Sequence, residues 1–153
     1  GYLRTNPAEG CILPRITKKE IRPLDTPEIS TFLDAIKGHR CETLFKVDVF
    51  TDLRSGEILG LTWDCVNFDE GTLYICKQLT PPRMKGQKYA FGTLKNDKPR
   101  TITPAPYVMQ LLKEHRIQQM QQRLIAGVAW DDGGFPNLVF TNDTGGDLTQ
   151  SGV

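Results

Sequence analysis

Arg54 and Glu57 stand three residues apart, and a short apolar segment that ends at Trp63 follows them directly. An arginine side chain is a planar, permanently charged fork that binds phosphate through two parallel hydrogen bonds. Glu57 lies about one helical turn further on, close enough to pair with the arginine or to orient it. The spacing therefore indicates a phosphate-handling site. The alternative is an ordinary surface ion pair at the start of an amphipathic helix, which would contribute little.

A second feature is the basic segment from Lys77 to Arg100, which contains seven basic residues and only one acidic residue, Asp97. The basic residues are Lys77, Arg83, Lys85, Lys88, Lys95, Lys98 and Arg100. The whole chain carries a formal charge of only +1, so the positive charge is concentrated here. Such a patch suits the sequence-independent, salt-sensitive part of DNA binding. The alternative is a solvated, lysine-rich hairpin.

Composition limits the other classes of protein. The chain has 153 residues, enough for one domain with a core, and it is 39% hydrophobic and 24% charged. No apolar run approaches the roughly 20 residues of a membrane span. Gly1 to Arg15 holds charges and prolines, so a signal peptide is not expected in this stretch. Cys11, Cys41, Cys65 and Cys76 form no C-x-x-C pair, and the two histidines, His39 and His115, lack spaced partners. We therefore expect reduced thiols, no metal site and a cytoplasmic protein.

Three helices are predicted in the first half of the chain. Thr26-Pro27-Glu28 reads as a helix start, with Thr26 as the capping hydroxyl, and Gly38 as the stop. A second helix is predicted over 41–50. A third follows Arg54, with Ile58, Leu59 and Leu61 pointing inward.

The hydrophobic period then changes to that of strands. Strands are predicted over 72–79, 88–94 and 100–103, which places the basic segment on a β-hairpin. A long helix is predicted from Pro106 to Gly127. Its apolar face is predicted to contain Val108, Leu111, Leu112, His115, Met120 and Leu124. His115 is interpreted as a packing residue rather than a catalytic one, and 138–142 as a short apolar segment.

The stretch from Thr51 to Trp63 resembles the first catalytic motif of the tyrosine recombinases, the family of phage and transposon integrases. Thr51, Leu53, Arg54, Gly56, Glu57 and Trp63 all match that motif. Asp52 departs from it, because the family usually has glycine there. If this position needs a positive φ, aspartate adopts it more readily than most residues but still at some cost.

The resemblance extends to the domain organisation. Asn6-Pro7-Ala8, Leu13-Pro14 and Pro23-Leu24 are similar to the segment that joins the two domains of integrases. Residues 1–23 are accordingly expected to be an interdomain linker, and residues 24–153 the N-terminal part of a catalytic domain. The implied fold is α+β: mostly helical, with a small antiparallel sheet or hairpin, and incomplete at its C-terminus.

The family resemblance also implies a reaction, site-specific DNA recombination. A tyrosine attacks the scissile phosphate, arginines clamp that phosphate, and a lysine on the hairpin protonates the departing oxygen, without metal or other cofactor. By this resemblance Arg54 is a clamp, Glu57 supports it, and Lys95 is the acid, with Lys98 as the alternative. The implied partners are double-stranded DNA and other recombinase protomers in a synaptic assembly, with no membrane.

The H-x-x-R motif and the tyrosine nucleophile of the family are missing from the 153 residues. Neither His39 nor His115 has an arginine three residues on, and Tyr2, Tyr74, Tyr89 and Tyr107 all precede the expected position of the nucleophile. The expectation is an inactive, C-terminally truncated piece of a phage or mobile-element integrase, marginally stable or self-associating because core surface is exposed. Two alternatives stay open: a non-catalytic DNA-binding accessory module, and a basic α+β protein-interaction domain.

Overall fold

The computed structural model describes residues 10–11, 22–82, 88–95 and 98–149. Most of the predicted linker, and the basic residues Arg83 and Lys85, lie outside the described residues. The described part is α+β, as predicted, with helices around two small antiparallel sheets.

The described ranges contain four α-helices: α1 Thr26–Ala35, α2 Glu42–Thr51, α3 Ser55–Leu59 and α4 Pro106–Ala126. The prediction that Thr26 caps α1 is wrong, because Thr26 is already helical and Asp25 is the N-cap. The Asp25 carboxylate accepts from the Glu28 amide, and the Glu28 carboxylate accepts from the Asp25 amide, each at 2.9 Å. This reciprocal pair satisfies two amides that the first turn leaves without helical partners.

The strands form two sheets. Strands β1 Val66–Asn67, β2 Thr72–Ile75 and β5 Arg100–Ile102 form one antiparallel sheet in the order β1-β2-β5. The hairpin of β3 Gln78–Thr80 and β4 Ala90–Gly92 forms the other. The predicted continuous strand over 72–79 is therefore wrong in its extent: the chain leaves the first sheet after Ile75 and enters the second at Gln78. This break lets one stretch of β-forming sequence serve both sheets.

The core is one cluster of buried side chains that includes residues of α2, α4 and the three-stranded sheet. Val47, Leu73, Val108, Leu112 and Val139 are fully buried. The predicted inward residues of α3 are buried too: Ile58 at 2%, Leu59 at 4% and Leu61 at 3% exposure.

The predicted apolar face of α4 is wrong beyond its middle. Met120 and Leu124 are 60% and 82% exposed, whereas Gln119 is buried. The Gln119 amide accepts a 2.7 Å hydrogen bond from the Trp63 indole and donates to the backbone carbonyls of Leu138 and Val139. The inner face of α4 is thus polar at Gln119, because this side chain satisfies the hydrogen-bonding groups of Trp63 and of residues 138–139. No helix in the described ranges is long and apolar enough to cross a membrane.

Helix α3 packs directly on the backbone of β3 through two glycines. A Cβ atom on Gly60 would lie 2.6 Å from the Leu79 amide nitrogen, and one on Gly56 would lie 2.9 Å from the Leu79 carbonyl oxygen. Both distances are shorter than any normal contact of a Cβ, so only glycine permits this approach. The contact sets the distance between the segment that begins at Arg54 and the basic hairpin.

Candidate phosphate-binding site

The turn between α2 and α3 presents Arg54 to solvent. Asp52 ends α2 in the left-handed conformation, with φ 51° and ψ 37°, and Leu53 then enters the core at 6% exposure. Arg54 is extended, with φ −69° and ψ 148°, and it immediately precedes the first turn of α3. The position of Asp52 therefore does require a positive φ, as the family glycine suggested.

Glu57 is buried and accepts hydrogen bonds from Arg54. Its side chain is 1% exposed and accepts from Arg54 twice, from Nη1 at 3.0 Å and from the backbone amide at 3.1 Å. It also accepts from both terminal nitrogens of Arg100, from Nη1 at 3.0 Å and from Nη2 at 2.6 Å. A carboxylate has about four lone-pair sites, and in Glu57 both oxygens accept two hydrogen bonds each. The buried charge is therefore fully paired, the condition under which an ionised carboxylate is tolerated in a protein interior.

These hydrogen bonds shift the pKa values of Glu57 and Arg100. Hydrogen bonding by Arg100 is the largest cause that lowers the pKa of Glu57, from its ordinary 4.5 to about 2, with Arg54 adding to it against the opposing effect of burial. The same contact raises the pKa of Arg100. Glu57 therefore stays ionised at neutral pH within the unit that it forms with Arg54 and Arg100.

An open cleft of about 720 Å³ lies in front of this unit. Its lining residues are Thr51, Asp52, Leu53, Arg54, Leu94, Lys98, Pro99 and Arg100. The Arg54 side chain is 54% exposed, so its guanidinium remains available to a ligand after pairing with Glu57. Lys98 lies on the cleft wall, whereas Lys95 is exposed on the turn before it and is not a lining residue.

The remaining basic residues are distributed around the hairpin. Lys77 contacts other groups of the protein: its Nζ lies 3.8 Å from an Asp64 carboxylate oxygen and 4.9 Å from the centre of the Phe91 ring. Lys88 is exposed just before β4. Arg83 and Lys85 lie outside the described residues. Arg54, Lys98 and Arg100 thus line one cleft, and the buried Glu57 pairs with both arginines.

The contact between Arg100 and Glu57 was not foreseen from sequence. Arg100 was assigned to the DNA-contacting patch, and its guanidinium is engaged by a carboxylate 43 residues earlier in the chain. No local pattern carries that information, because the pairing depends on how β5 adds to β2 beside α3. The only feature of the sequence that pointed to this pairing was that Arg100 is a basic residue on a predicted strand.

His115 has the packing role that was predicted. Its ring lies against Phe140, with 5.1 Å between ring centres, and its Nε2 is 2.8 Å from the Val139 carbonyl oxygen. Burial lowers the pKa of His115. Within the described ranges, no group of three or more His, Cys, Asp or Glu side chains is arranged to hold a metal ion.

The chain has relatives among known proteins. The chain is 30% identical to a XerC-like tyrosine recombinase of Caldanaerobacter subterraneus over 167 aligned positions, covering all of this chain and 42% of that protein. It is 30% identical to the prophage integrase IntR of Escherichia coli, covering 74% of this chain and 26% of that protein. It therefore spans less than half the length of these relatives. No family model matches the chain.

Solved structures share the fold. The Tn1549 transposon integrase bound to transposon right-end DNA superposes with a TM-score of 0.70 at 22% identity, over 96% of this chain and 47% of that one. The XerA recombinase superposes with a TM-score of 0.61 at 16% identity, over 90% and 40% of the two chains. The chain belongs to the tyrosine recombinase and integrase family.

Proposed function

We propose that this protein supplies an arginine and a lysine to the phosphate-binding site of a site-specific DNA recombinase. The recombinase is of the phage or mobile-element integrase type. Double-stranded DNA is the partner, and other recombinase protomers complete the synaptic assembly. Residues 1–23 act as the linker that precedes this domain. In the whole enzyme, a tyrosine attacks the phosphate and forms a covalent intermediate, so bond energy is conserved without a cofactor.

The observation that carries this proposal is the half-exposed Arg54 guanidinium, held by a buried carboxylate at the edge of an open cleft with Lys98 on its wall. A guanidinium held in one orientation can grip two phosphate oxygens without losing further side-chain freedom. Glu57 supports the clamp and does not face the DNA, since it is 1% exposed.

A lysine of the segment between β4 and β5 is the proposed acid for the departing oxygen. Lys95 matches the family pattern, and Lys98 remains the alternative, supported by its place on the cleft wall. Lys77, Arg83, Lys85 and Lys88 contribute the surrounding, sequence-independent attraction to the DNA backbone. In the whole enzyme, replacing the true acid leaves DNA affinity nearly intact and slows strand cleavage.

The test on this chain is DNA binding by fluorescence anisotropy with a labelled duplex, at several salt concentrations. Arg54→Ala is expected to weaken binding about tenfold, because a charge-assisted contact is lost. It should also reduce the slope of log affinity against log salt by about 0.9. Arg123→Ala is the matched control, since Arg123 lies in the last turn of α4 against Trp130.

Unchanged affinity in Arg54→Ala, with the Arg123→Ala variant behaving in the same way, would overturn the proposal. That result would favour the basic protein-interaction domain. Loss of affinity only on substitution of hairpin lysines would favour a non-catalytic DNA-binding module.

A further inference from the structure

Arg100 makes the more complete of the two contacts with Glu57. Its two terminal nitrogens reach the two carboxylate oxygens separately, at 3.0 and 2.6 Å. Arg54 reaches only one carboxylate oxygen with its side chain, at 3.0 Å, and that oxygen, Oε1, is shared with Arg100. A two-pronged contact between a guanidinium and a carboxylate fixes the plane of both groups, which a single hydrogen bond does not.

The direction of the Arg54 guanidinium therefore depends on a group that it does not touch. Arg100 sets the plane of the Glu57 carboxylate, and that plane sets where Oε1 points. Arg100 is also only two residues after Lys98, and β5 is paired with β2 in the central sheet. The contact between Arg100 and Glu57 consequently connects the cleft wall that carries Lys98 to the start of α3.

We propose that Arg100 is a positioning residue, which orients the phosphate-gripping guanidinium of Arg54 through Glu57 and does not itself carry a separate phosphate contact. This inference rests on the proposed function of Arg54 as a phosphate clamp. The competing possibility is a direct contact with DNA, because the Arg100 side chain is 37% exposed and lines the same cleft.

A double-mutant cycle in DNA affinity separates these two roles. If Arg100 acts through Arg54, Arg100→Gln weakens binding about three- to tenfold in the wild-type background and has no further effect in Arg54→Ala. If Arg100 contacts phosphate directly, its loss adds to that of Arg54, and the salt slope falls by a further ~0.9. Lys88→Gln is the comparator, because Lys88 is exposed just before β4 and is assigned a separate contribution to DNA attraction, so its effect is expected to add to that of Arg54→Ala.

Arg100→Lys provides the conservative variant. Lysine keeps the positive charge but lacks the fork, so a positioning role predicts that Arg100→Lys loses nearly as much affinity as Arg100→Gln. Retention of wild-type affinity in Arg100→Lys would overturn the inference, because charge alone would then suffice.

A readout that needs no DNA completes the test. The Nη1–H signal of Arg54, whose nitrogen donates to Glu57 Oε1, should be sharp in a low-temperature ¹⁵N-edited NMR spectrum of the wild type. It should be broadened by exchange with water in Arg100→Lys, while the backbone spectrum stays folded. An unchanged Arg54 signal in a folded variant would overturn the inference. If instead Arg54→Ala itself leaves DNA affinity unchanged, the proposed function fails, and the NMR result still decides whether Arg100 orients Arg54.

Discussion

Replacing Glu57 by glutamine should destabilise the protein in a strongly pH-dependent way. The Glu57 carboxylate is 1% exposed and accepts hydrogen bonds from Arg54 and Arg100, which hold its pKa at about 2 against an ordinary 4.5. That difference corresponds to about 3 kcal/mol of stability at neutral pH. We therefore expect Glu57→Gln to lower the free energy of unfolding at pH 7 by roughly that amount, since glutamine keeps the shape but not the charge.

The sign of the pH dependence follows from the direction of the shift. Because the folded-state pKa lies below the unfolded-state value, the contribution of Glu57 is complete above about pH 5 and is lost as the pH falls toward about 2. The wild type and Glu57→Gln should therefore converge in stability across that range. The difference between the two proteins isolates Glu57 from the other carboxylates that titrate in the same window.

Urea unfolding at a series of pH values, followed by the fluorescence of Trp63 and Trp130, measures this difference. Asp34→Asn is the control, because Asp34 forms an exposed pair with Lys37 and should show little change at any pH. A gap between wild type and Glu57→Gln that stays constant from pH 7 to pH 3 would refute the reasoning, since the loss would then come from shape and not from charge.

Three further substitutions test other parts of the structure. Gly60→Ala should lower the free energy of unfolding by about 1–3 kcal/mol, because its Cβ would meet backbone atoms of β3, as urea unfolding will measure. Gln119→Leu should cost about 2–4 kcal/mol by the same assay, because it leaves the Trp63 indole and the Leu138 carbonyl without the hydrogen bonds that Gln119 supplies. Asp52→Asn should raise DNA affinity about twofold in fluorescence anisotropy, because it removes a negative charge from the cleft while asparagine still tolerates the left-handed conformation.

Each of these has a matched control. Gly92→Ala should cost less than Gly60→Ala, because its Cβ would meet only the Thr80 hydroxyl, which can rotate away. Gln118→Leu changes an exposed residue of the same helix and should be nearly neutral. Equal costs within either pair would contradict the packing described here, and an Asp34→Asn variant that gains as much DNA affinity as Asp52→Asn would show that the effect is not local to the cleft.

Two features of the packing explain part of the family motif in physical terms. Gly56, which matches the motif, and Gly60, which lies in the same stretch, allow α3 to lie against the backbone of β3. The stretch therefore combines Arg54, the proposed phosphate clamp, with the small residues that bring the hairpin close to it. Substitutions at these glycines should act on stability and on the geometry of the cleft together.

Local chemistry was enough to predict a large part of this protein. The spacing of Arg54 and Glu57, the inward residues of α3, the hairpin and the long helix from Pro106 all follow from patterns within a few residues, and the structure contains them. The positive φ at Asp52 could be anticipated in the same way, since it depends on how one helix ends. Short-range sterics and hydrophobic periodicity determine these features before any distant segment is in place.

Tertiary structure alone decided the rest. The pairing of Glu57 with Arg100, the break that sends 72–75 and 78–80 into different sheets, and the burial of Gln119 in place of Met120 each depend on a partner that is distant in sequence. A buried polar group is determined by the complete set of groups that it must satisfy, and those groups come from separate segments. For the same reason the local sequence predicts that Arg54 binds phosphate, whereas only the assembled fold shows what holds Arg54 in place.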